Sequence, residues 1–324
     1  MTLTGTHPIA ASACICTYNG AARIGAVIKA LAAQTLSTDS WELLVIDNAS
    51  MDDTSAIAER MLAQAFSGSG RVVREAHPGL SFARVRAVQE AKAQVLCFLD
   101  DDNLPNPDYI EKAIAAFKTK PKAGVIGGKV LAQWEAKPTA LAEKVAPFAL
   151  AICDHGDAPQ LIDGTGAGIV GAGMCVRRKA LEEAYGSKLC AGSVTGRKGT
   201  NLISGEDTAL CVAARQMDYE CWYEPSLVIR HLLPARRMEK DYLVRLYEGI
   251  GRGQAAVRRL YDWKVRNPLA ALVAAKDYSR WLRKGLASPQ HASNSMSPEL
   301  ANDLRDLDRR LIWARARETL AFWR

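Results

Sequence analysis

Three consecutive carboxylates, Asp100, Asp101 and Asp102, follow the apolar run Val95–Leu99. Like charges crowded together repel unless a cation or solvent relieves them. A hard divalent ion suits such a cluster, because Mg2+ and Mn2+ prefer oxygen ligands and combine one or two carboxylates with phosphate oxygens of a substrate. An exposed acidic turn is the bland alternative. Two further apolar runs end in polar sets, Thr17-Tyr18-Asn19-Gly20 and Asp47-Asn48-Ala49-Ser50. Each also has a local reading, since Asn-Gly and Asp-Asn make turns and Ser50 or Asp52 can cap a following helix. A second acidic pair, Glu206-Asp207, precedes Thr208–Met217, where charge at a helix N-terminus is the structural alternative. His231 stands ahead of Pro234-Ala235-Arg236-Arg237. A lone His is more often structural than a ligand.

The elements that must position these residues follow from periodicity. Over the first 130 residues, short apolar runs rich in β-branched residues alternate with helical patterns, which predicts βαβ units around a parallel sheet. Strands are expected near Ile9–Cys16, Trp41–Asp47, Arg71–Glu75, Val95–Asp100 and Val125–Val130. Helices are expected near Ala22–Ala33, Thr54–Gln64, Ser81–Ala93 and Pro107–Phe117, the last capped by Asn106 with Pro107 in its first turn. In such sheets ligands bind outside the carboxyl ends of the strands, where the polar sets fall.

Farther along, Thr139–Ala151 reads as a helix, and the Gly-rich stretch Gly164–Gly173 leads into a strand at Met174-Cys175-Val176. Residues Gly186–Ser204 read as a mobile loop of the kind that becomes a lid. Ser226–Arg230 reads as a strand. Helices are expected at Glu239–Tyr261, Leu269–Lys284 and Pro298–Trp323, with a linker at Ser288–Ser295. Leu300, Leu304, Leu307 and Leu311 fall on one face of the last helix, for packing on the rest of the chain or on a second copy in a homodimer. Arg280, Trp281, Arg283 and Lys284 form a basic, aromatic patch suited to peripheral contact with an anionic membrane.

Composition bounds the function classes. A chain of 324 residues with 48% hydrophobic and 24% charged content has the make-up of a folded protein, not a disordered one. The longest apolar stretch of the C-terminal part, Leu269–Ala275, stops at Lys276 and Asp277, too short to cross a bilayer. Met1–Pro8 lacks a basic region and apolar core, so a cytoplasmic location, extending to the inner face of the membrane, is expected. Cys14, Cys16, Cys97, Cys175 and Cys211 lie in apolar runs without zinc or redox spacing and read as buried thiols. Residues 231–324 hold 19 Lys/Arg against 10 Asp/Glu, leaving 23 against 25 elsewhere. This excess sits on amphipathic helices without a nucleic-acid motif, so no nucleic-acid partner is expected.

The ordered set Cys16-Thr17-Tyr18-Asn19-Gly20, Val45-Ile46-Asp47-Asn48-Ala49-Ser50-Met51-Asp52, Gly79–Arg84 with Arg86, Phe98–Asp102 with Pro105, and Gly205-Glu206-Asp207-Thr208-Ala209-Leu210 spans about 200 residues. In its order and content it resembles the family 2 glycosyltransferases of the GT-A fold. The resemblance implies an α/β, Rossmann-like nucleotide-diphospho-sugar transferase fold with a mostly parallel central sheet and C-terminal helices. It divides the chain into a catalytic domain at 1–235, with a nucleotide-binding half at 1–130 and an acceptor-binding half at 131–235, and a helical extension at 236–324. It implies an inverting enzyme of the hexosyltransferase type that moves a sugar from a nucleotide-sugar, UDP-sugar foremost, to a hydroxyl of a glycan or lipid-linked acceptor, as in bacterial surface polysaccharide synthesis.

By the same resemblance, Thr17, Tyr18, Asn19, Asn48 and Ser50 lie against the nucleotide-sugar, and Asp47 hydrogen-bonds the base. Asp100–Asp102 form the Asp-x-Asp element, with Asp102 as the direct ligand of Mg2+ or Mn2+, and Asp100 a second ligand or, like Asp101, a contact to ribose or sugar. Asp207 is the catalytic base, with Glu206 as the alternative. Arg84, Arg86, His231 and Arg237 join the donor site, although the family commonly carries Asn where this chain has Val85. Two alternatives stand beside this reading. A sugar-phosphate nucleotidylyltransferase would be expected to open with a Gly-rich phosphate loop, which Cys16–Gly20 is not. A catalytically silent nucleotide- or glycan-binding module leaves the full set of carboxylates without a task.

Overall fold

Seven consecutive buried residues form each of the first two strands, β1 (Ala11–Thr17) and β2 (Trp41–Asp47), as expected of parallel strands covered on both faces. The computed structural model describes residues 9–66, 68–163, 169–186, 202–261 and 296–321. The expected helix Leu269–Lys284 with its basic patch, the linker Ser288–Ser295 and residues 187–201 of the expected lid lie outside the described residues.

The remaining strands are β3 (Gly70–Arg74), β4 (Val95–Asp100), β5 (Asn103–Pro105), β6 (Ala123–Trp134), β7 (Gln160–Leu161), β8 (Met174–Arg177) and β9 (Glu220–Leu233). Among the described residues they form a 9-stranded sheet of order β3-β2-β1-β4-β8-β6-β9-β5, with β7 on β9. β1 pairs in parallel with β2 and β4, β2 with β3, and β6 with β9. β8 inserts antiparallel between β4 and β6, so one sheet runs through both sides of residue 130. The α/β class expected from periodicity is therefore found, with the mostly parallel sheet that the resemblance implies and β8 as an antiparallel member. β9 extends well beyond the expected Ser226–Arg230, because Pro225 interrupts the ladder without ending it. The register shifts between Gly127 and Lys129 of β6, and pairing resumes at Val228.

The helices are α1 (Ile24–Ala32), α2 (Thr54–Ala65), α3 (Leu80–Glu90), α4 (Tyr109–Thr119), α5 (Ala140–Ala149), α6 (Arg178–Gly186), α7 (Glu206–Gln216), α8 (Lys240–Tyr261) and α9 (Pro298–Ala321), with a 3-10 turn at Ala235–Met238. α4 begins later than expected. The Asn106 and Pro107 carbonyls accept hydrogen bonds from Gln34 and Thr35 at the end of α1, and Asp108 takes the cap position. Alternate residues of β1 and β2 feed two cores. Ile15, Leu43 and Val45 meet α1, α2 and α4 on one face, and Cys14, Cys16, Leu44 and Ile46 meet α3, α6 and α7 on the other. Truncating a fully buried member such as Ile15 or Leu31 costs about 2–5 kcal/mol.

A third core joins α5, α8 and α9, with Leu304, Leu307 and Leu311 buried against Leu243, Leu246 and Tyr247. The apolar face of the last helix thus packs within the chain. The described cysteines are free and buried, as their apolar surroundings imply. Among the described residues, no helix is long and apolar enough to cross a membrane.

Candidate active site

The carboxyl ends of β1, β2 and β4 open onto a cleft of about 1720 Å3 whose far wall is α8 with part of α9. Thr17, Tyr18, Asn48, Arg84, Asp100, Asp101, Asp102, Glu206, Asp207, His231 and Arg237, all singled out in the sequence, line it. Asn19, Asp47, Ser50 and Arg86 are not among the lining residues.

The three aspartates have separate surroundings. Asp101 turns back toward β1, where Thr17 Oγ1 donates to Oδ2 at 2.7 Å and Arg23 grips both oxygens through Nε at 2.9 Å and Nη2 at 2.8 Å. This bidentate pair offsets one of the three charges and locks the turn. Asp102 is 3% exposed and pairs with Arg237 Nη2 at 2.8 Å. Asn103 Nδ2 donates to its Oδ1 at 3.1 Å, and His231 Nε2 lies 3.5 Å from the same oxygen. His231 Nδ1 donates to the Leu150 carbonyl at 3.0 Å, leaving the Nε2 lone pair to accept from Arg237 Nη1 at 2.9 Å. That network fixes one tautomer and holds the imidazole edge against the acidic turn. Asp100 is half-buried, with its backbone N–H held by Asn103 Oδ1 at 3.0 Å.

A divalent ion fits this donor set. Asp100 and Asp102 place hard oxygens on one turn of the cleft wall, where an ion would compete with Arg237 for Asp102, while both oxygens of Asp101 are held by Arg23. No group of three or more His, Cys, Asp or Glu residues suited to holding a metal is found among the described residues. Such a site leaves further coordination positions to phosphate oxygens and water, the arrangement in which Mg2+ and Mn2+ commonly bind.

The polar residues outside the lining build the loops. Asp47 accepts the Ser50 N–H at 3.0 Å and the Ser55 hydroxyl, closing the turn after β2. Asn19 accepts the Met51 N–H at 2.9 Å and donates its own N–H to Ser50 Oγ at 3.0 Å, which ties the β1 and β2 loops together. Asn48 reaches the other way, to the His77 carbonyl and the Gly79 N–H, both at 2.7 Å. Arg84 and Arg86 separate because residues two apart on a helix do not share a face. Arg84 is 2% exposed, lies 3.8 Å from Glu206 and stacks over Phe98, whereas Arg86 pairs with Glu90 at 3.3 Å.

Glu206 and Asp207 occupy the first turn of α7. Asp207 accepts the Gly171 N–H at 3.0 Å and the Thr208 N–H at 2.7 Å. Burial, reinforced by the charge of Glu206, pushes its carboxyl up to about 6, against the opposing pull of Arg84 and the two N–H donors. The segment leading into this turn rests on α8. A Cβ at Gly249 would overlap the Leu202 carbonyl, and one at Gly253 would overlap that of Ser204. Gly205 itself has φ 126°, a conformation that glycine adopts without strain. Ala209 and Val212 of α7 then pack on Ala256 and Val257 of α8.

Sequence reasoning missed Arg23, Arg236, Tyr242, Arg245, Gln254 and Arg315, all of which line the cleft. Arg23 carried a faint signal, a cation just after the Asn19-Gly20 turn. The others sit on C-terminal elements whose inward faces are decided by tertiary packing. A Gly249-x-Gly251-x-Gly253 pattern inside a helix was the available clue, since repeated helical glycine needs a packing reason.

The fold is of the GT-A type, and solved structures of low identity share it. A mannosyltransferase from Pyrobaculum calidifontis, solved with GDP-Man and Mn2+, is 19% identical with TM-score 0.60, covering 96% of this chain and 86% of that one. S. aureus TarS residues 1–349, solved with UDP-GlcNAc, is 16% identical with TM-score 0.54, covering 96% and 88%. The description "Glycosyl transferase family 2" fits residues 12–184, just over half of the chain, and the chain belongs to that family. It is 26% identical over 171 residues to a glucosyl-dolichyl phosphate glucuronosyltransferase of Haloferax volcanii, covering 51% of each chain. It is 29% identical over 128 residues to glycosyltransferase AglE of the same organism, covering 40% of this chain and 41% of that one. The matches thus span about 51% and 41% of these curated relatives.

Proposed function

We propose that the chain transfers a sugar from a nucleotide-sugar, UDP-sugar foremost, to a hydroxyl of a glycan or lipid-linked acceptor, inverting the anomeric carbon, as in surface polysaccharide synthesis. One observation carries this reading. A carboxylate turn suited to a metal-diphosphate and a half-buried carboxylate with its pKa raised to about 6 open onto the same cleft. The family relationship supports it, as do the nucleotide-sugars bound by the two structural neighbours.

Asp207 takes the proton from the attacking hydroxyl. Its raised pKa makes it a stronger base than an ordinary carboxylate while leaving it mostly ionised at neutral pH. The Gly171 and Thr208 N–H groups aim it, and Glu206 keeps its affinity for the proton high. Attack by one activated hydroxyl opposite the leaving group passes through an oxocarbenium-like state and inverts configuration. On the other side of the sugar, Asp102 and Asp100 would hold Mg2+ or Mn2+, which would supply positive charge against the departing diphosphate. Arg237, oriented by Asp102 and His231, adds a fixed cation there. Thr17, Tyr18 and Asn48 border the nucleotide, with Asp47, Asn19 and Ser50 shaping the loops that receive it.

A thermal-shift panel of UDP-, GDP- and TDP-sugars with and without Mn2+ tests the donor site, because a true donor raises the unfolding temperature of the fold it binds. Turnover of the stabilising donor must then release a nucleoside diphosphate. Release of pyrophosphate from a nucleoside triphosphate supplied with a sugar 1-phosphate would instead identify a nucleotidylyltransferase, and stabilisation without turnover across a broad acceptor panel would favour a silent binding module.

A further inference from the structure

The acidic turn receives two guanidinium groups from elsewhere in the chain, and they are held in different ways. Arg23 grips both oxygens of Asp101, at 2.9 and 2.8 Å, and the Thr17 hydroxyl adds a third bond to the same carboxylate. A two-pronged pair of this kind is hard to part. Arg237 instead divides its terminal nitrogens, giving Nη2 to Asp102 at 2.8 Å and Nη1 to His231 Nε2 at 2.9 Å. Both partners of this second pair line the cleft, and Arg237 is the more open of the two, with 16% of its side chain exposed against 4% for Asp102.

Asp102 is also a residue suited to a divalent ion. An ion on its carboxylate meets the Arg237 guanidinium there, and two cations so close repel each other. Arg237 thus stands where the ion would act, and it needs another anion before it can leave. A diphosphate is such an anion, because the guanidinium fork matches phosphate oxygens as well as carboxylate oxygens. The backbone beneath Arg237 is anchored on both sides. Met238 is buried in the core of α5, α8 and α9, Glu135 accepts the Ala235 N–H at 2.8 Å, and the Arg237 N–H closes the 3-10 turn on the Pro234 carbonyl at 2.8 Å.

We infer that Arg237 is a gate on the metal site, holding Asp102 against a bare divalent ion and yielding it when a diphosphate draws the guanidinium away. The inference rests on the donor-site reading of the cleft and adds to it that metal and nucleotide bind as a coupled pair. In the free protein, three carboxylates against two guanidinium groups leave the turn a single net negative charge. With a diphosphate bound, a rotamer change carries Arg237 onto the phosphate and frees Asp102 to join Asp100. Two carboxylates beside phosphate oxygens are what Mg2+ and Mn2+ commonly take. The coupling is reciprocal, so whatever the nucleotide adds to metal affinity the metal adds to nucleotide affinity.

The test is Mn2+ binding by the full chain, followed through the electron paramagnetic resonance signal of free Mn2+, with and without UDP. The proteins compared are the parent, Arg237→Gln, Arg237→Lys and Arg236→Gln. Arg236, the exposed neighbour in the same 3-10 turn, measures what the loss of any nearby positive charge does. The parent should bind Mn2+ at least about tenfold more tightly with UDP than without it. Arg237→Gln should bind Mn2+ about tenfold tighter than the parent when UDP is absent and about equally when UDP is present, so the effect of UDP shrinks by that factor. Arg237→Lys should fall between, since it keeps the charge and loses the fork. Arg236→Gln should follow the parent. Unfolding temperature supplies a second readout. Arg237→Gln leaves a buried carboxylate without its cation and should unfold earlier than the parent, and Mn2+ alone should restore it while leaving the parent unchanged. The gate is overturned if the parent binds Mn2+ equally with and without UDP, or if Arg236→Gln gains as much Mn2+ affinity as Arg237→Gln. It is overturned as well if Arg237→Gln binds UDP more weakly but Mn2+ like the parent, the mark of a plain diphosphate ligand. In these outcomes the donor site stands, because UDP binding is read in the same titrations. Absence of Mn2+ binding by every protein with UDP present would overturn the metal site, and the gate with it.

Discussion

The two walls of the cleft are built on different principles. On the sheet side, short loops after β1, β2 and β4 are stitched by polar side chains, with Asn19, Asp47, Asn48, Asp101 and Arg23 all bonded within the chain. On the helical side, α8 receives backbone directly, through Gly249 and Gly253 against residues 202–204 and through Gly251 against the Leu311 carbonyl. One wall is held by hydrogen bonds between loops, the other by close helix packing. The catalytic candidate Asp207 belongs to both, because α7 starts beneath the sheet and leans on α8.

The largest effect should come where the walls meet. Asp207→Asn removes the base with little change of shape and is expected to slow transfer about a thousandfold, read as turnover with donor affinity retained. A loss confined to donor affinity would move Asp207 to the donor wall. Asp102→Ala breaks the sheet wall at its acidic turn, freeing Arg237 and His231 from their partner. About a hundredfold loss of turnover is expected, with loss of Mn2+-dependent thermal stabilisation by the donor. Unchanged Mn2+ dependence would remove Asp102 from the metal site.

Gly253→Ala probes the helical wall. The added methyl meets the Ser204 carbonyl, so the segment carrying Asp207 must shift. We expect about tenfold lower turnover and a stability loss of about 1–3 kcal/mol by chemical denaturation, with donor affinity kept. Loss of donor affinity instead would erase the division between the walls. Arg86→Ala should do least. Arg86 lies outside the cleft lining and pairs with Glu90 with 39% and 32% of the two side chains exposed, and such surface pairs contribute about 0–1 kcal/mol, so donor-induced stabilisation should match the parent.

The contrast between the walls also explains what was legible in the sequence. Parallel strands buried on both faces read as apolar runs with polar ends, so the cleft-lining positions of Asp100–Asp102, Thr17 and Asn48 were legible from pattern and resemblance together. The pattern did not separate residues that face the cleft from those that shape its loops. Asp47 and Asn19 lie at strand ends like their neighbours, yet their side chains bond to the turn beside them. Nor did it find Arg245, Gln254 and Arg315, because a helix shows its apolar stripe in sequence but not which of its polar residues a distant loop will enclose. α8 faces the cleft because glycines bring it against residues 202–205, a contact set by tertiary packing.

The central claim is that Asp207 acts as the base and Glu206 tunes it. The direct measurement is the acid limb of the pH–rate profile for nucleotide-sugar turnover in the parent, Glu206→Gln and Asp207→Asn proteins. A base is active when ionised, so the parent rate should rise with pH through about 6 and level above it. Removing the Glu206 charge relieves the repulsion that raises the Asp207 pKa, so Glu206→Gln should stay active with its limb moved to lower pH. Asp207→Asn should be slow and lack the limb. A fast Asp207→Asn enzyme that keeps the limb, with the limb abolished in Glu206→Gln, would contradict the account and make Glu206 the base.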